Sequence, residues 1–476
     1  MANRRALARV GARVAAGVVG LAVAAATIAA ATVLPLPSID TAVPSETVRP
    51  VPADQQRVCP GGLLELAADA SASSATGFAA PKSVSGATGG ELTTRRLKAV
   101  DVSAGPTGAA PRVINVAASG ASTAPAIGGA QSQTATREDL AGFAAASCTE
   151  AGADSWLVGG ATTLGQTSLL LLANPSAVQA TVDVTVYAES GMLASPGAQG
   201  IVVEPGTQRV IPLAGIAPNV QAPVIHVEAS GGSIAASMQQ SLVRGIKPAG
   251  VELIGPTTQP SRQQIIPGMI VSDISAAQSA GGSEGSSSVL PAVRVLAPGR
   301  SAAKVTVSVV GENGQKTGTS TTATVQAGIV QELPLDKLVD GSYTVTVTSD
   351  QPIVAAARTT DIRSGNEDFG WFAAASALTA DTIAAVAPGT GAALHLTNPG
   401  THDVRLTVPT ASGDTQVTVP ADGAVSVPIA RPDVAPTLNG TTGLIASVGY
   451  VGAPGIASYV LAPPGPRAQP ITVYPR

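Results

Sequence analysis

Leu171-Leu172-Ala173-Asn174-Pro175, followed after four residues by Ala180-Thr181-Val182-Asp183-Val184-Thr185-Val186, is the stretch that decides the fold. Apolar and β-branched residues alternate with period two beyond a proline turn, which predicts antiparallel strands with one buried face. The pattern returns as Val293-Arg294-Val295-Leu296-Ala297-Pro298 before Ala303-Lys304-Val305-Thr306-Val307-Ser308-Val309. It returns again as Leu394-His395-Leu396-Thr397-Asn398-Pro399 before Asp403-Val404-Arg405-Leu406-Thr407-Val408. Each copy runs on to a second proline, at 212, 334 and 428, so the proline-to-proline distances are 37, 36 and 29 residues. Repetition on that scale marks one supersecondary unit used several times.

Working outward, every copy closes with a strand, a turn and an Ala-rich strand, as in Ile353-Val354-Ala355-Ala356-Ala357. Every copy opens with a short apolar stretch ending in glycine: Leu157-Val158-Gly159-Gly160, Ile265-Ile266-Pro267-Gly268 and Ala385-Val386-Ala387-Pro388-Gly389. About seven short strands per copy is the rhythm of an immunoglobulin-like or fibronectin-like sandwich. A degenerate copy precedes these, opening at Val58-Cys59-Pro60-Gly61-Gly62 and closing at Phe143-Ala144-Ala145-Ala146-Ser147-Cys148. The expected fold class is therefore all-β: tandem β-sandwich modules at 58–153, 154–255, 256–363 and 364–462, with a tail at 463–476. Residues Ser272 to Ser288, rich in serine and glycine, are expected to form a flexible loop in the third of these modules.

The N-terminus places these modules. Arg4, Arg5, Arg9 and Arg13 precede an uncharged run from Val14 to Leu34, long enough as a helix to span about 31 Å, one hydrocarbon core. With basic residues on one side only, residues 1–13 are expected inside, 14–34 as one transmembrane signal anchor, and the rest outside the cell membrane. Ala29-Ala30-Ala31 offers the alternative of a signal cleaved on secretion. Prolines at 35, 37, 44, 50 and 52 make residues 35–57 an extended spacer. Cys59 and Cys148 then face an oxidising compartment, and an even count without Cys-x-x-Cys spacing predicts one disulfide between them.

With 11 aromatic residues among 476 and a net charge of -4, the chain lacks the rings and basic groove of a single-stranded nucleic-acid binder. The cores must be filled by Ala, Val, Leu and Ile. Rings gather near closing strands and junctions, at Phe143, Trp156, Phe369, Trp371, Phe372 and Tyr459. Trp156, Trp371, Asp368 and Phe369 are accordingly the candidate ligand or inter-module contacts.

Catalytic motifs do not assemble. Ser301-Ala302-Ala303-Lys304 with Lys316-Thr317-Gly318 imitates two pieces of a penicillin-binding site, but serine and lysine enter an alternating strand where that chemistry needs a helix start. Gly389-Thr390-Gly391 lacks the third glycine and the helix of a dinucleotide loop. His226 and His395 lie in strands, and His402 and Asp403, adjacent in a strand, face opposite sides. Asp361, Glu367 and Asp368 cluster with Arg358 and Arg363, which reads as an ion-pair loop, with inter-module calcium as the alternative. No cofactor, catalytic residue or metal ligand is assigned.

The inside-out anchor, the proline spacer, the tryptophan junctions and the repeated Asn-Pro turns resemble an uncharacterised family of membrane-anchored, Ala/Gly/Val-rich secreted proteins from high-GC actinobacteria; Arg outnumbering Lys 21 to 6 fits such a genome. The resemblance implies location and architecture and carries no activity or site residue. The function expected is a non-enzymatic, membrane-tethered spacer or protein-interaction scaffold of the cell envelope, with an envelope protein as partner and no nucleic acid. The alternatives are a cell-wall or glycan-processing enzyme centred on Asp361 to Asp368, and a glycan-binding adhesin using Trp156 and Trp371.

Overall fold

The computed structural model describes residues 14–27, 46–48, 54–66, 75–118, 125–281, 289–315, 318–363, 365–410, 413–430, 432–463 and 471–473. The chain divides into two compact bodies. One, Met1–Arg49 with Pro470–Arg476, contains a helix over 14–27 and a ribbon in which Glu46–Val48 pairs antiparallel with Ile471–Val473. Among the described residues no helix is long and apolar enough to cross a membrane. Residues 28–34 of the expected anchor, and most of the 35–57 spacer, lie outside the described residues.

The other body, Pro50–Gln469, is built almost wholly of β-strands, and one strand order recurs along it. In the second unit the eight strands, numbered one to eight, are Asp154–Val158, Gln166–Ala173, Ala180–Ala188, Ile201–Val203, Thr207–Pro212, Val224–Gly231, Ala235–Arg244 and Lys247–Ile254. One sheet runs 5-2-7-8 and the facing sheet 1-6-3-4. Alternation in Ala180–Ala188 buries Val182, Val184 and Val186 between the sheets and turns Thr181 and Asp183 outward. The third unit repeats both orders, with strands 6 and 7 continuous as Gly341–Arg363. The fourth keeps 5-2-7-8 and splits its other sheet into pairs 1-6 and 3-4. Residues 55–147 carry a reduced copy: Gln55–Cys59, Arg112–Val116 and Leu92–Arg96 stand as 1-6-3, and Lys82–Ala87, Ile127–Thr136 and Ala141–Ser147 as 2-7-8.

This order corrects the immunoglobulin-like expectation. That fold keeps its first two strands in one sheet. Here strands 1 and 2 belong to opposite sheets, while strands 3 and 4, and strands 7 and 8, are neighbours within one sheet.

The modules are also not independent beads. The four eighth strands, Ala141–Ser147, Lys247–Ile254, Asn366–Ala373 and Gly455–Val460, pack side by side around one axis, each against the next and the fourth against the first. The result is a propeller-like ring. Its cause lies in the cores: each sandwich is sealed by the innermost strand of the following unit. Val251 and Leu253 pack with Leu63, Leu64 and Ala144 of the first unit. Phe369 and Trp371 enter the core of the second with Val182, Val184 and Leu213. Ile456 enters the third beside Val305 and Val345, and Phe143 enters the fourth beside Leu394 and Leu396. Ala-rich strands carry too little side-chain volume to fill a core alone, and the residues inserted from the neighbour each contribute about 1.5–3 kcal/mol of burial.

One expected boundary and one expected loop are corrected by the structure. Asn366–Ala373 forms a hairpin with the end of Gly341–Arg363, so it completes the third unit, and the expected division at 363/364 falls within that hairpin. In the expected loop Ser272 to Ser288, Ile274–Gly281 is helical, started by Asp340 Oδ1 accepting from Ile274 N at 2.9 Å. Cys59 and Cys148 form a disulfide that joins strand 1 to the end of strand 8 in the first unit.

Candidate functional site

The repeated opening glycines are explained at the seams between units, where the backbone of one unit lies directly on the sheet of the next. Pro60 O accepts from Gln208 Nε2 (3.0 Å), Gly160 O from Arg294 Nη1 (2.9 Å) and Pro267 O from Ser447 Oγ (3.0 Å), while Pro388 O accepts from Ser132 Oγ. A Cβ at Gly268 would lie 2.5 Å from His395 Cγ, and one at Gly389 would lie 2.6 Å from Phe143 Cζ. Gly389 is thus a packing glycine.

On the axis, Gly142, Gly250 and Gly455 occupy equivalent places in three inner strands, and Asp368 occupies the fourth. Asp368 Oδ2 accepts from Phe143 N (3.0 Å) and Ile456 N (3.1 Å), and Oδ1 from Val251 N (3.2 Å). The N–H of Phe369 adds a fourth donor from its own strand. The glycines are required by the aspartate: a Cβ at Gly455 would sit 1.8 Å from Oδ2, and one at Gly142 2.6 Å from Oδ1. Burial pushes the Asp368 carboxyl well above the usual range, against the opposing pull of the N–H donors. Two residues beyond Gly250, Glu252 repeats the arrangement. Its Oε1 accepts from Leu253 N (2.8 Å), Oε2 has no partner among the described residues, and burial raises its carboxyl as well, with Asp368 adding to the rise.

The seam between the second and third units differs from the others. It holds a cavity of about 850 Å³ bordered by Arg244, Arg294, Glu332, Arg358 and Trp371. Arg294, on strand Ala292–Leu296, donates to Gly160 O and Pro223 O at 2.9 Å and to Glu332 Oε1 at 2.7 Å, and its guanidinium lies 4.6 Å above the Trp371 ring. Trp371 Nε1 donates to Gln240 Oε1 at 2.8 Å. Arg244 is paired with Glu367 at 2.7 Å. Arg358 has only Glu332, at 3.8 Å, as an ion-pair partner, and no hydrogen-bond acceptor for its guanidinium among the described residues. Burial pushes both Arg294 and Arg358 below the usual arginine range, Glu332 opposing. Burial would raise Glu332, but the two guanidiniums outweigh it and hold its carboxyl below the usual range.

The candidates from sequence therefore separate. Trp371 and Phe369 meet at this seam and border the cavity, while Asp368, on the same strand, belongs to the axis. Trp156 is buried elsewhere, stacked on His226 at 4.0 Å. His226 lies between Asp154 at its Nε2 (3.1 Å, within hydrogen-bond reach) and Glu228 near its Nδ1 (3.7 Å, beyond it); the cluster has metal-ligating atoms, but the two carboxylates sit at opposite ring nitrogens, which does not suit one shared ion. The acidic cluster does not converge: Asp361 is paired with Arg363 at 3.4 Å, Glu367 with Arg244 and Asp368 with the axis. His395 is buried against Glu312 at 2.7 Å, across the seam between the third and fourth units. Asp403 accepts from Ala421 N, a turn contact. Lys316 and Thr317 lie outside the described residues.

Reasoning from sequence missed Arg294, Glu332, Arg244 and Gln240. One signal was available for Arg294: counted back four residues from the repeated proline, the copies read Leu171, Arg294 and His395, and an arginine amid Ala292-Val293 and Val295-Leu296 is the outlier.

A family model matches residues 102–430, most of the ring. The chain belongs to DUF5719, a family of unknown function. The match runs from the first unit into the fourth and thus covers the whole seam cavity and Asp368, while the innermost strand of the fourth unit, Gly455–Val460, follows it. No match is found among curated proteins. Among solved structures, one described as the crystal structure of Thermotoga maritima 1070 is similar at 15% identity and TM-score 0.20, covering 25% of this chain and 95% of that one. A score that low supports no statement about this chain.

Proposed function

We propose that this DUF5719 chain is a non-enzymatic protein of the cell envelope, tethered to the membrane through residues 14–34, whose ring serves as a rigid protein-interaction scaffold. The observation that supports it is the employment of the acidic residues between Asp361 and Asp368. They are the only centre the sequence offers a glycan-processing enzyme, and each is already engaged: Asp368 on four N–H groups and Glu367 on Arg244 across units, Asp361 on Arg363 of its own strand. A ring whose cores are sealed reciprocally also presents partners with a fixed surface, whereas a string of modules would bend at each junction. The anchor rests on the Arg-rich start and the uncharged run that follows it.

The test is complementation joined to fractionation. Cells lacking the protein and supplied with Glu367→Gln and Asp361→Asn are expected to regain the full phenotype, with the protein pelleting with membranes after alkaline carbonate and accessible to external protease. Loss of complementation by a folded, correctly located variant would favour the enzyme reading. Recovery of the chain in the soluble external fraction, shortened by its first 30 or so residues, would replace the anchor by a cleaved signal.

A further inference from the structure

The cavity between the second and third units holds more positive than negative charge. Three guanidiniums, Arg244, Arg294 and Arg358, border it with one carboxylate, Glu332, while Glu367 pairs with Arg244 from outside the lining and Glu189 acts on Arg294 from beyond it. Glu367 answers Arg244 and Glu332 answers Arg294, both at 2.7 Å. Arg358, only 9% exposed, is left with a 3.8 Å approach to the carboxylate that Arg294 already holds and a distant, 6.0 Å approach to the Trp371 ring that Arg294 covers more closely. A buried cation without close partners is costly and keeps its place only when something repays the desolvation. The equivalent positions at the other seams show the contrast. The residue paired with Ala145 is Ser132, with Leu253 is Gln239, and with Ser458 is Gly449. Ser132 bonds to Pro388 O, and Gln239 bonds to both polar groups of the Leu64 backbone. Arg358, paired with Trp371, is the one of the four that brings a full charge, and it faces open space.

We propose that this cavity is a binding site for a small organic molecule bearing an oxyanion, with Arg358 holding the charged head. The volume is that of a ligand site and exceeds what a lone ion needs. A planar guanidinium presents paired donors that match a carboxylate or a phosphate alike. Gln240 is held by Trp371 Nε1 and by Gln166, and Arg294 by three carbonyls and Glu332, so the walls around Arg358 are already ordered before any ligand arrives. Leu164, fully exposed on the rim, offers apolar contact to the body of the molecule. The inference is independent of the scaffold reading, since a scaffold need not bind a small anion.

The full chain in mild detergent, with Trp156→Phe so that Trp371 alone reports, is titrated with inorganic phosphate and with glucuronate at constant ionic strength. A saturable change in tryptophan emission is expected, with affinity at least tenfold weaker in Arg358→Gln. Response to phosphate alone assigns a phosphoryl head, response to glucuronate alone a carboxylate, and equal response an oxyanion site that accepts both. If Arg358→Gln fails to fold, Glu332→Gln supplies the second measurement: removing the competing carboxylate should tighten binding several-fold. No saturable response to either probe overturns the proposal, as does unchanged affinity in Arg358→Gln, or in Glu332→Gln where that variant decides.

Discussion

The axis and the seam between the second and third units both bury charge inside one ring, and they accommodate it differently. On the axis, one carboxylate sits where four equivalent strands converge, and N–H groups from all four point at it. In the seam, a guanidinium sits where the neighbouring seams place serine, glutamine or glycine, and the nearest carboxylate stands 3.8 Å away. The first charge is satisfied by symmetry-related backbone and needs nothing further. The second meets one carboxylate at 3.8 Å and the face of the Trp371 ring at 6.0 Å, and has no hydrogen-bond acceptor among the described residues. Buried charge that is fully hydrogen-bonded marks a structural device; buried charge left short of partners beside an open cavity marks a place for a ligand.

The largest effect is expected from Asp368→Ala. Four N–H groups would lose their acceptor in a site without room for much water, and unfolding free energy in denaturant titrations should fall by about 4 kcal/mol. A loss below about 1 kcal/mol would mean that the axis does not depend on its carboxylate. Gly455→Ala comes next. Its methyl group would collide with Asp368 Oδ2, at a cost of about 2–3 kcal/mol. In an Asp368→Ala background the same change should cost far less, because the two residues share one space. Equal costs in both backgrounds would show that the glycine answers to something other than the aspartate.

The smallest expected effect concerns pH. Glu252 has a folded-state pKa raised by burial, with the Asp368 charge adding to it. Below the unfolded value, about 4.3, both states hold the proton; above it the unfolded chain releases the proton while the folded chain retains it. Stability from this group is therefore present at low pH and is lost as pH rises toward the folded value, by at most about 1.4 kcal/mol per pH unit. Glu252→Gln should flatten that decline in melting temperature measured from pH 4 upward. An identical slope in the variant would place the pH dependence elsewhere.

Much of this architecture was legible. The period-two runs around Pro175, Pro298 and Pro399 identify strands 2 and 3 of three units, and the two cysteines bracket the first unit. The degenerate copy is visible at its ends and in Val113-Ile114-Asn115-Val116, which is a strand in the structure; its other interior strands carry little alternation to read. The strand order was not legible: a period-two pattern says which face of a strand is buried and nothing about which sheet covers it. The closing strand of the third unit reads from sequence as a junction before the next module, because Asp368-Phe369-Gly370-Trp371 precedes the opening stretch at 385–389, and only its pairing with Ala356 to Arg363 places it in the third unit.

The site was legible in part. Aromatic residues crowded into closing strands pointed to Trp371 and Phe369, which do meet the cavity, and to Trp156, which does not. Asp368 stood out by its company, and its neighbours along the chain suggested an ion-pair loop. Its real partners, Phe143, Val251 and Ile456, lie more than 80 residues away in three directions.

The sequence by itself determined the β class, the repeat and the disulfide, because alternation, proline turns and cysteine count are local or one-dimensional signals. Tertiary structure alone decided that the repeats close into a ring, that one aspartate may stand among three glycines, and that Arg358 lacks a close partner. The physical reason is the same in each case. Whether a core is sealed, a Cβ has room or a charge is answered depends on atoms brought from other units, and no pattern within one unit records what its neighbour will bring.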